Sequence, residues 1–445
     1  MKNKSLWMVL ILLVVGSLML AACTPAAETE EPMEEPTEEP AEEPAEEPAE
    51  EPTEEPTEEP TEEPMGTPIV MWSQDEPNIE EIVKAKFDEW AAANGYDYYL
   101  EVVHYGTEDL RTEFQTAALA GTGPDFMWTV NDHAGPFTAA GLIQPVDDLV
   151  DLSVYVESAV VAVELNGQHW GIPIQNGNHL MLLYNKSLVE AAPTTVSELV
   201  TVAQGFAGTE TQGFAYNLNE PFWFVPWLGG FGGSVFLEDG VTPNLNTPEM
   251  IAAFQLVHDF KFVDGIVPTE CDYDCADTLF KEGTAAIIIN GDWSLSGYIE
   301  ALGDNLGVAR IPDIDDAGTP APYTSGKFFM IPLLTEGEKL DVILAFIEYL
   351  TQDVNNQLEL STPFGRLPAY AEALADPSIA ADPVLAGSAD QMSVGTPMPT
   401  VAEMRCVWDS IRPNLEGVMA DSITAEAAAA AAQEAALTCV ADLGG

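Results

Sequence analysis

Residues 68–75 read Pro-Ile-Val-Met-Trp-Ser-Gln-Asp. An apolar run of this length that ends in polar residues reads as a buried strand. Asn78, with Glu81 three residues on, has the pattern of a helix N-cap and capping box. Ile82, Val83, Lys86, Phe87 and Trp90 follow helical spacing to Asn94-Gly95, a C-terminal stop. Tyr98 to His104 reads as a second strand. Thr107 to Ala120 reads as a second helix, closed by Gly121-Thr122-Gly123. Pro124 to Val130 reads as a third strand. A β-α-β-α-β run opens a parallel sheet with helices on both faces. Such sheets take ligands beyond the carboxyl ends of their strands. Trp72 to Glu76 and Thr129 to His133 are therefore expected at one cleft.

The pattern changes further along. Trp170 to Ile174 and Leu180 to Tyr184 read as apolar strands. Pro248 to Val263 reads as a helix capped by Asn246 or Thr247. A short helix near 275–281 precedes a buried strand, Thr284 to Asn290. Gly326 to Leu334 reads as a strand and Lys339 to Leu350 as an amphipathic helix. The tail from Pro399 reads as helical, with Ala427 to Ala432 as a strong helix former. The alternation restarts after about residue 180, so two α/β lobes are expected.

Composition narrows the function. The chain has 445 residues, with 74 Asp+Glu against 14 Lys+Arg and a formal net charge of -60. No basic surface exists to displace counterions from phosphates, which argues against nucleic acid as a partner. Part of the charge lies outside any core. From Glu30 to Pro64 a Glu-Glu-Pro-X unit repeats every four residues. It has no apolar face to bury, and its prolines block a helix. It reads as an extended tether that could span roughly 100 Å at about 3.1 Å per residue. Before it, Lys2 and Lys4 precede an apolar run, Leu6 to Leu20. That run is short for a membrane span but suits a signal peptide. It ends in Leu20-Ala21-Ala22-Cys23, which resembles the bacterial lipobox. The resemblance implies lipidation of Cys23 and a mature chain on the outer side of the cell membrane. Residues 1–22 are then a lipoprotein signal peptide and 23–66 the lipidated Cys and tether. Cys271, Cys275, Cys406 and Cys439 remain, an even count that suggests two disulfides outside the cytoplasm. Of three pairings, Cys271 with Cys275 and Cys406 with Cys439 is favoured, since each pair could join neighbouring turns or helices. Zinc is the weaker alternative, because no His pair completes a site.

Several motifs recur in one order. Gly123-Pro124-Asp125 opens the third strand, and Tyr184-Asn185-Lys186 follows the first crossover. Asn217-Leu-Asn-Glu220-Pro221-Phe222 precedes an aromatic helix. Phe280-Lys-Glu-Gly283 runs into Ile289-Asn-Gly-Asp-Trp293. Met398-Pro399, Trp408 and Arg412 stand near the end. In this order the chain resembles the extracellular solute-binding proteins of carbohydrate ABC importers, with maltose/maltodextrin binders the most similar branch. The resemblance covers nearly all of 68–440. It implies a two-lobed α/β fold of the periplasmic-binding-protein type II, each lobe a mixed sheet flanked by helices, with the ligand cleft between. The implied lobes are 67–178 with 325–378, and 179–324 with 379–445. They would close on a sugar like a hinged clamp.

The implied site follows residue by residue. Trp293 and Trp408 match stacking aromatics, which cover the apolar C–H face of a sugar ring. Asp132 matches a hydroxyl acceptor after the third strand. Glu220-Pro221-Phe222 matches a Glu-Pro-Tyr triplet, and Met398 and Arg412 match cleft residues of the second lobe. Asp75 lies near the family's first-loop acid, in a shifted register. Charged partners bond sugar hydroxyls strongly. Other positions depart from the pattern. His133 stands where maltose binders place an arginine, and Asn178 where they place a glutamate. Phe222 lacks the tyrosine hydroxyl, Asp409 replaces a stacking tyrosine, and the first-loop lysine is missing. Trp72, Trp128, Trp223 and Trp227 are further stacking candidates, although Trp128 fits the sheet interior better. The implied partners are an oligosaccharide, the permease subunits of an importer and the membrane reached through Cys23. The implied receptor is a monomer and uses no cofactor or metal. Asp132 with Glu220 could also suggest a glycosidase pair, but no hydrolase motif accompanies them.

Overall fold

The computed structural model describes residues 66–443. Cys23, the signal peptide and the Glu/Pro repeat lie outside the described residues. The opening reading holds closely. Strand Thr67–Ser73 pairs in parallel with Tyr98–His104 on one side and Phe126–Val130 on the other. Helices Pro77–Asn94 and Thr107–Leu119 connect them. The first helix starts earlier than its sequence suggests. Glu76 occupies the cap position in extended conformation, and Pro77 takes the first turn. A proline fits there because its missing N–H would have no helical partner. Asn78 instead accepts from the Ile79 N–H.

Two sheets result. The larger runs in the order Leu367–Pro368, Ile172–Gly177, Tyr323–Met330, Phe126–Val130, Thr67–Ser73, Tyr98–His104. Tyr323–Met330 is antiparallel to both neighbours, so the sheet is mixed. That strand starts before Gly326 and ends before Pro332, which cannot donate to a ladder. Leu333 and Leu334 beyond it are exposed. The smaller sheet runs Leu306–Ala309, Leu180–Asn185, Ala285–Gly291, Gln212–Ala215. Each sheet has its own core. Ile69, Phe87, Phe126, Trp128, Phe329 and Phe346 pack on the larger. Leu182, Phe214, Phe254 and Ile288 pack on the smaller, together with Ile411 and Ala429 of the tail helices Glu403–Met419 and Ala425–Leu443.

The chain passes between the sheets along adjacent strands. It leaves the larger at Gly177 and joins the smaller at Leu180. Gly177 pairs with Ser325, and Thr396–Pro397 lies parallel to Tyr323–Thr324. Gly177 has φ +147, and a Cβ there would collide with Asp292 Oδ2. Only glycine fits that backbone. Asn178 follows at φ +48, a conformation asparagine tolerates. Its amide donates to Asp292 Oδ2 at 3.0 Å.

The cysteines form the pairs Cys271–Cys275 and Cys406–Cys439. The second ties the two tail helices across 33 residues, the first spans four. By loop closure alone they contribute about 3.5 and about 2 kcal/mol.

Candidate ligand-binding site

An aromatic wall lies between the sheets. Phe222 is its centre, on the first turn of helix Pro221–Gly230. Its ring centroid is 5.9 Å from Trp293, 6.3 Å from Trp408 and 6.5 Å from Tyr323. Trp223 meets Trp293 edge-on at 5.7 Å, and Tyr323 meets Trp408 at 6.0 Å. These rings come from separate parts of the chain. Trp293 sits on the turn Asp292–Ser294, Tyr323 opens a strand of the larger sheet, and Trp408 projects from the first tail helix. Trp223 is fixed by its indole N–H, which donates to the Ile289 carbonyl at 2.9 Å.

Charged groups rim the wall. Glu220 pairs with Arg412, and each is about one-third exposed. The sequence offered these two as separate hydroxyl partners; the fold places them on one another. Asp132 lies on the turn after the third strand, with its Oδ1 enclosed and without a partner. Burial, then the nearby Glu108, pushes its carboxyl up to about 6, against the Trp408 indole N–H that opposes the rise. Glu108 itself is held by Arg405 at 2.6 Å, a bond from the second helix to the first tail helix. Glu76 makes a second link between the sheets, accepting from the Ser296 hydroxyl at 2.5 Å.

A stability prediction follows from Asp132. Its native pKa exceeds the ordinary 3.8, so the folded state binds more protons than the unfolded between about 4 and 6. Stability then rises as pH falls through that window. Asp132→Asn is expected to raise the melting temperature at pH 7 and to flatten its dependence between pH 7 and 4. A steeper dependence in the variant would contradict the assignment.

Other expected site residues face elsewhere. Asp75 is enclosed: Arg366 binds its Oδ1 at 2.5 Å, and Lys327 stands 3.7 Å from Oδ2. Burial raises its pKa, but Arg366 and then Lys327 outweigh this and leave it lowered. It supports the floor rather than offering a free carboxylate. His133 is 2% exposed and bonded to Thr129 Oγ1 at 2.8 Å. Burial holds its pKa at about 3, so it stays neutral in the interior. It cannot replace an outward-facing arginine. Asn178 and Met398 directly follow the crossing strands Ile172–Gly177 and Thr396–Pro397. Asn178 Nδ2 donates to Ser325 Oγ at 3.3 Å, and the Met398 amide donates to the Thr324 carbonyl at 3.0 Å. Pro221 is buried and starts the aromatic helix. Trp128 and Trp227 are core residues, while Trp72 packs on Tyr105 at 4.7 Å.

Two groups were missed. Tyr323 lay upstream of the strand expected at Gly326, and nothing local marked it. Arg366 bonds Asp75, reaches Gln175 at 3.0 Å, and touches the Trp293 carbonyl at 3.5 Å. Its one signal was scarcity, since an apolar-flanked arginine is unusual in a chain with 14 cations.

Known proteins are similar to this chain in sequence and fold. A model of the bacterial extracellular solute-binding protein family matches residues 85–387, and a PT disordered repeat model matches 29–66. The maltotriose-binding protein of Pyrococcus abyssi is 28% identical over 79% of this chain and 78% of its own. The galactooligosaccharide-binding protein of Bacillus subtilis is 25% identical over 77% and 82%. A solved structure, the maltose/maltodextrin-binding domain MalE from Bdellovibrio bacteriovorus bound to maltotriose, is 34% identical. It superposes with a TM-score of 0.79 over 84% of this chain and all of its own. The chain therefore belongs to the bacterial extracellular solute-binding proteins, a non-catalytic family, and resembles its maltose- and maltodextrin-binding members.

Proposed function

We propose that this protein is a lipid-anchored receptor that captures a malto-oligosaccharide and delivers it to an ABC importer. One observation carries the reading: an aromatic wall, Phe222, Trp293, Tyr323 and Trp408, rimmed by Asp132, Glu220 and Arg412. Ring faces suit the C–H side of a pyranose, and charged acceptors and donors suit its hydroxyls. The relatives named for maltotriose and maltodextrin support an α-glucan. Lobes at 67–178 with 325–378 and 179–324 with 379–445 would swing about the crossing strands. Ligand held by both lobes favours the closed form. Glu76–Ser296 and Glu108–Arg405, both formed in this structure, would belong to the closed form. Cys23 would hold the mature monomer at the membrane, with the Glu/Pro segment as a stalk and separate permease subunits as partners.

The test is titration calorimetry on the full chain, refolded to remove carried ligand. The panel is maltose, maltotriose, a galacto-oligosaccharide, cellobiose, trehalose, sucrose and glucose. One-to-one binding of maltotriose, weakening as pH falls through about 6 where Asp132 becomes protonated, is expected. Preference for the galacto-oligosaccharide would overturn the α-glucan assignment. Silence across the panel would overturn the sugar itself.

A further inference from the structure

Besides the tail helix that carries Trp408 and the strand that carries Tyr323, the aromatic wall depends on two segments. One is Asn217–Trp223, which delivers Phe222. The other is the turn Asp292–Ser294, which delivers Trp293. A third segment holds both. The Cys271 carbonyl accepts from the Leu218 amide at 3.0 Å. Asp272 then caps helix Tyr273–Lys281, its carboxylate accepting from the Cys275 amide at 3.0 Å. Cys271 lies just before the cap and Cys275 within the first turn, so their disulfide fixes the angle at which the chain enters the helix. Midway between them stands Tyr273. Its ring meets Trp223 edge-on at 5.8 Å, and its hydroxyl is 2.8 Å from Ser294 Oγ. Burial raises the Tyr273 pKa, and Ser294 and the Trp293 indole both act on its oxygen. Both of these segments thus end on the disulfide-bonded turn.

We infer that Cys271 and Cys275 are positioning residues for the sugar wall, and that their disulfide sets ligand affinity in addition to its contribution to global stability. A ring closed over four residues restricts the unfolded chain less than one closed over 33, about 2 against about 3.5 kcal/mol. Its further effect falls on the native state, where it removes freedom that binding would otherwise have to remove. Cys406–Cys439 is the converse case: it closes a long loop by joining the two tail helices. Cys271 is buried but Cys275 is partly exposed, so the first bond is open to reductant. Breaking it takes up two electrons and two protons from an added dithiol and leaves two thiols.

This inference rests on the sugar reading, and its test separates the two. The full chain is compared with Cys271→Ser/Cys275→Ser and Cys406→Ser/Cys439→Ser. Hydrogen exchange without ligand is read in peptides covering 217–223 and 291–296. The first variant is expected to exchange about tenfold faster there, with the smaller loss of melting temperature of the two. The second is expected to melt lower with exchange at these peptides unchanged. Maltotriose titration then gives a dissociation constant about five- to twentyfold higher for the first variant and within twofold for the second. Tyr273→Phe, which keeps the ring and both cysteines, is expected to weaken maltotriose about threefold; if the double serine variant does not fold, this variant and dithiol-treated parent carry the test. Unchanged exchange at both peptides overturns the inference whatever the ligand. Faster exchange with no sugar bound by the parent overturns the sugar reading alone.

Discussion

Trp293→Ala weakens maltotriose binding by about 30- to 100-fold, and Trp408→Ala, whose ring is mostly enclosed, weakens it less. An aromatic side chain buries about 150–250 Å², and a sugar lying on one ring face covers roughly half of that. At about 25 cal/mol per Å² the lost contact amounts to about 2.5 kcal/mol, close to two orders of magnitude in affinity. The loss is the larger because the rings brace one another. Removing Trp293 takes a neighbour from Phe222 and from Trp223, and removing Trp408 takes one from Phe222 and Tyr323. Phenylalanine at either position keeps a face and is expected to recover most of the binding. Trp408 is only 8% exposed, so its alanine variant acts chiefly by leaving a cavity and losing stability. Calorimetry well below each variant's melting temperature separates the two effects. Retained affinity in Trp293→Ala with an intact fold would remove the wall from the binding site.

Asp75→Asn lowers global stability by about 3–5 kcal/mol, the range for breaking a buried ion pair by removing one partner. Arg366 and Lys327 would keep their burial and lose the carboxylate between them. Arginine cannot shed its proton to escape this. Burial draws the Lys327 pKa down even beside Asp75, so without that carboxylate the lysine would be neutral or strongly unfavourable. In the parent the Asp75 contribution is present at neutral pH. The lowered native pKa means it is lost as pH falls below the ordinary carboxylate range. Denaturant unfolding of Asp75→Asn, Arg366→Gln and the double variant measures the coupling. The double variant is expected to be less damaged than the sum of the singles. If Asp75→Asn instead cost affinity and left stability within 1 kcal/mol, the residue would belong to the ligand surface, as the sequence first suggested.

What the sequence by itself determined was set by local rules. An apolar run, helical spacing and helix stop signals marked the opening β-α-β-α-β run, and the structure keeps Tyr98–His104 where the sequence put it. Thr247 and Asp272 cap their helices through hydroxyl and carboxylate contacts of a few residues' range. Motif order supplied the family, and with it Trp293 and Trp408. The tertiary structure alone decided where the charges point. Asp75 and Arg366 are 291 residues apart, and Glu220 and Arg412 are 192 apart. No period links such positions; they meet only because both sheets fold and the chain crosses between them. A carboxylate at a strand's end can face a cleft or an arginine, and the local sequence is the same in both cases. Burial then chooses, because an unpaired charge costs more to enclose than a paired one. Asp75 therefore turned inward, and His133 entered the core uncharged. Tyr323 joined the wall because its strand begins beside the crossing segments, a place fixed by pairing with Thr396 rather than by its own neighbours.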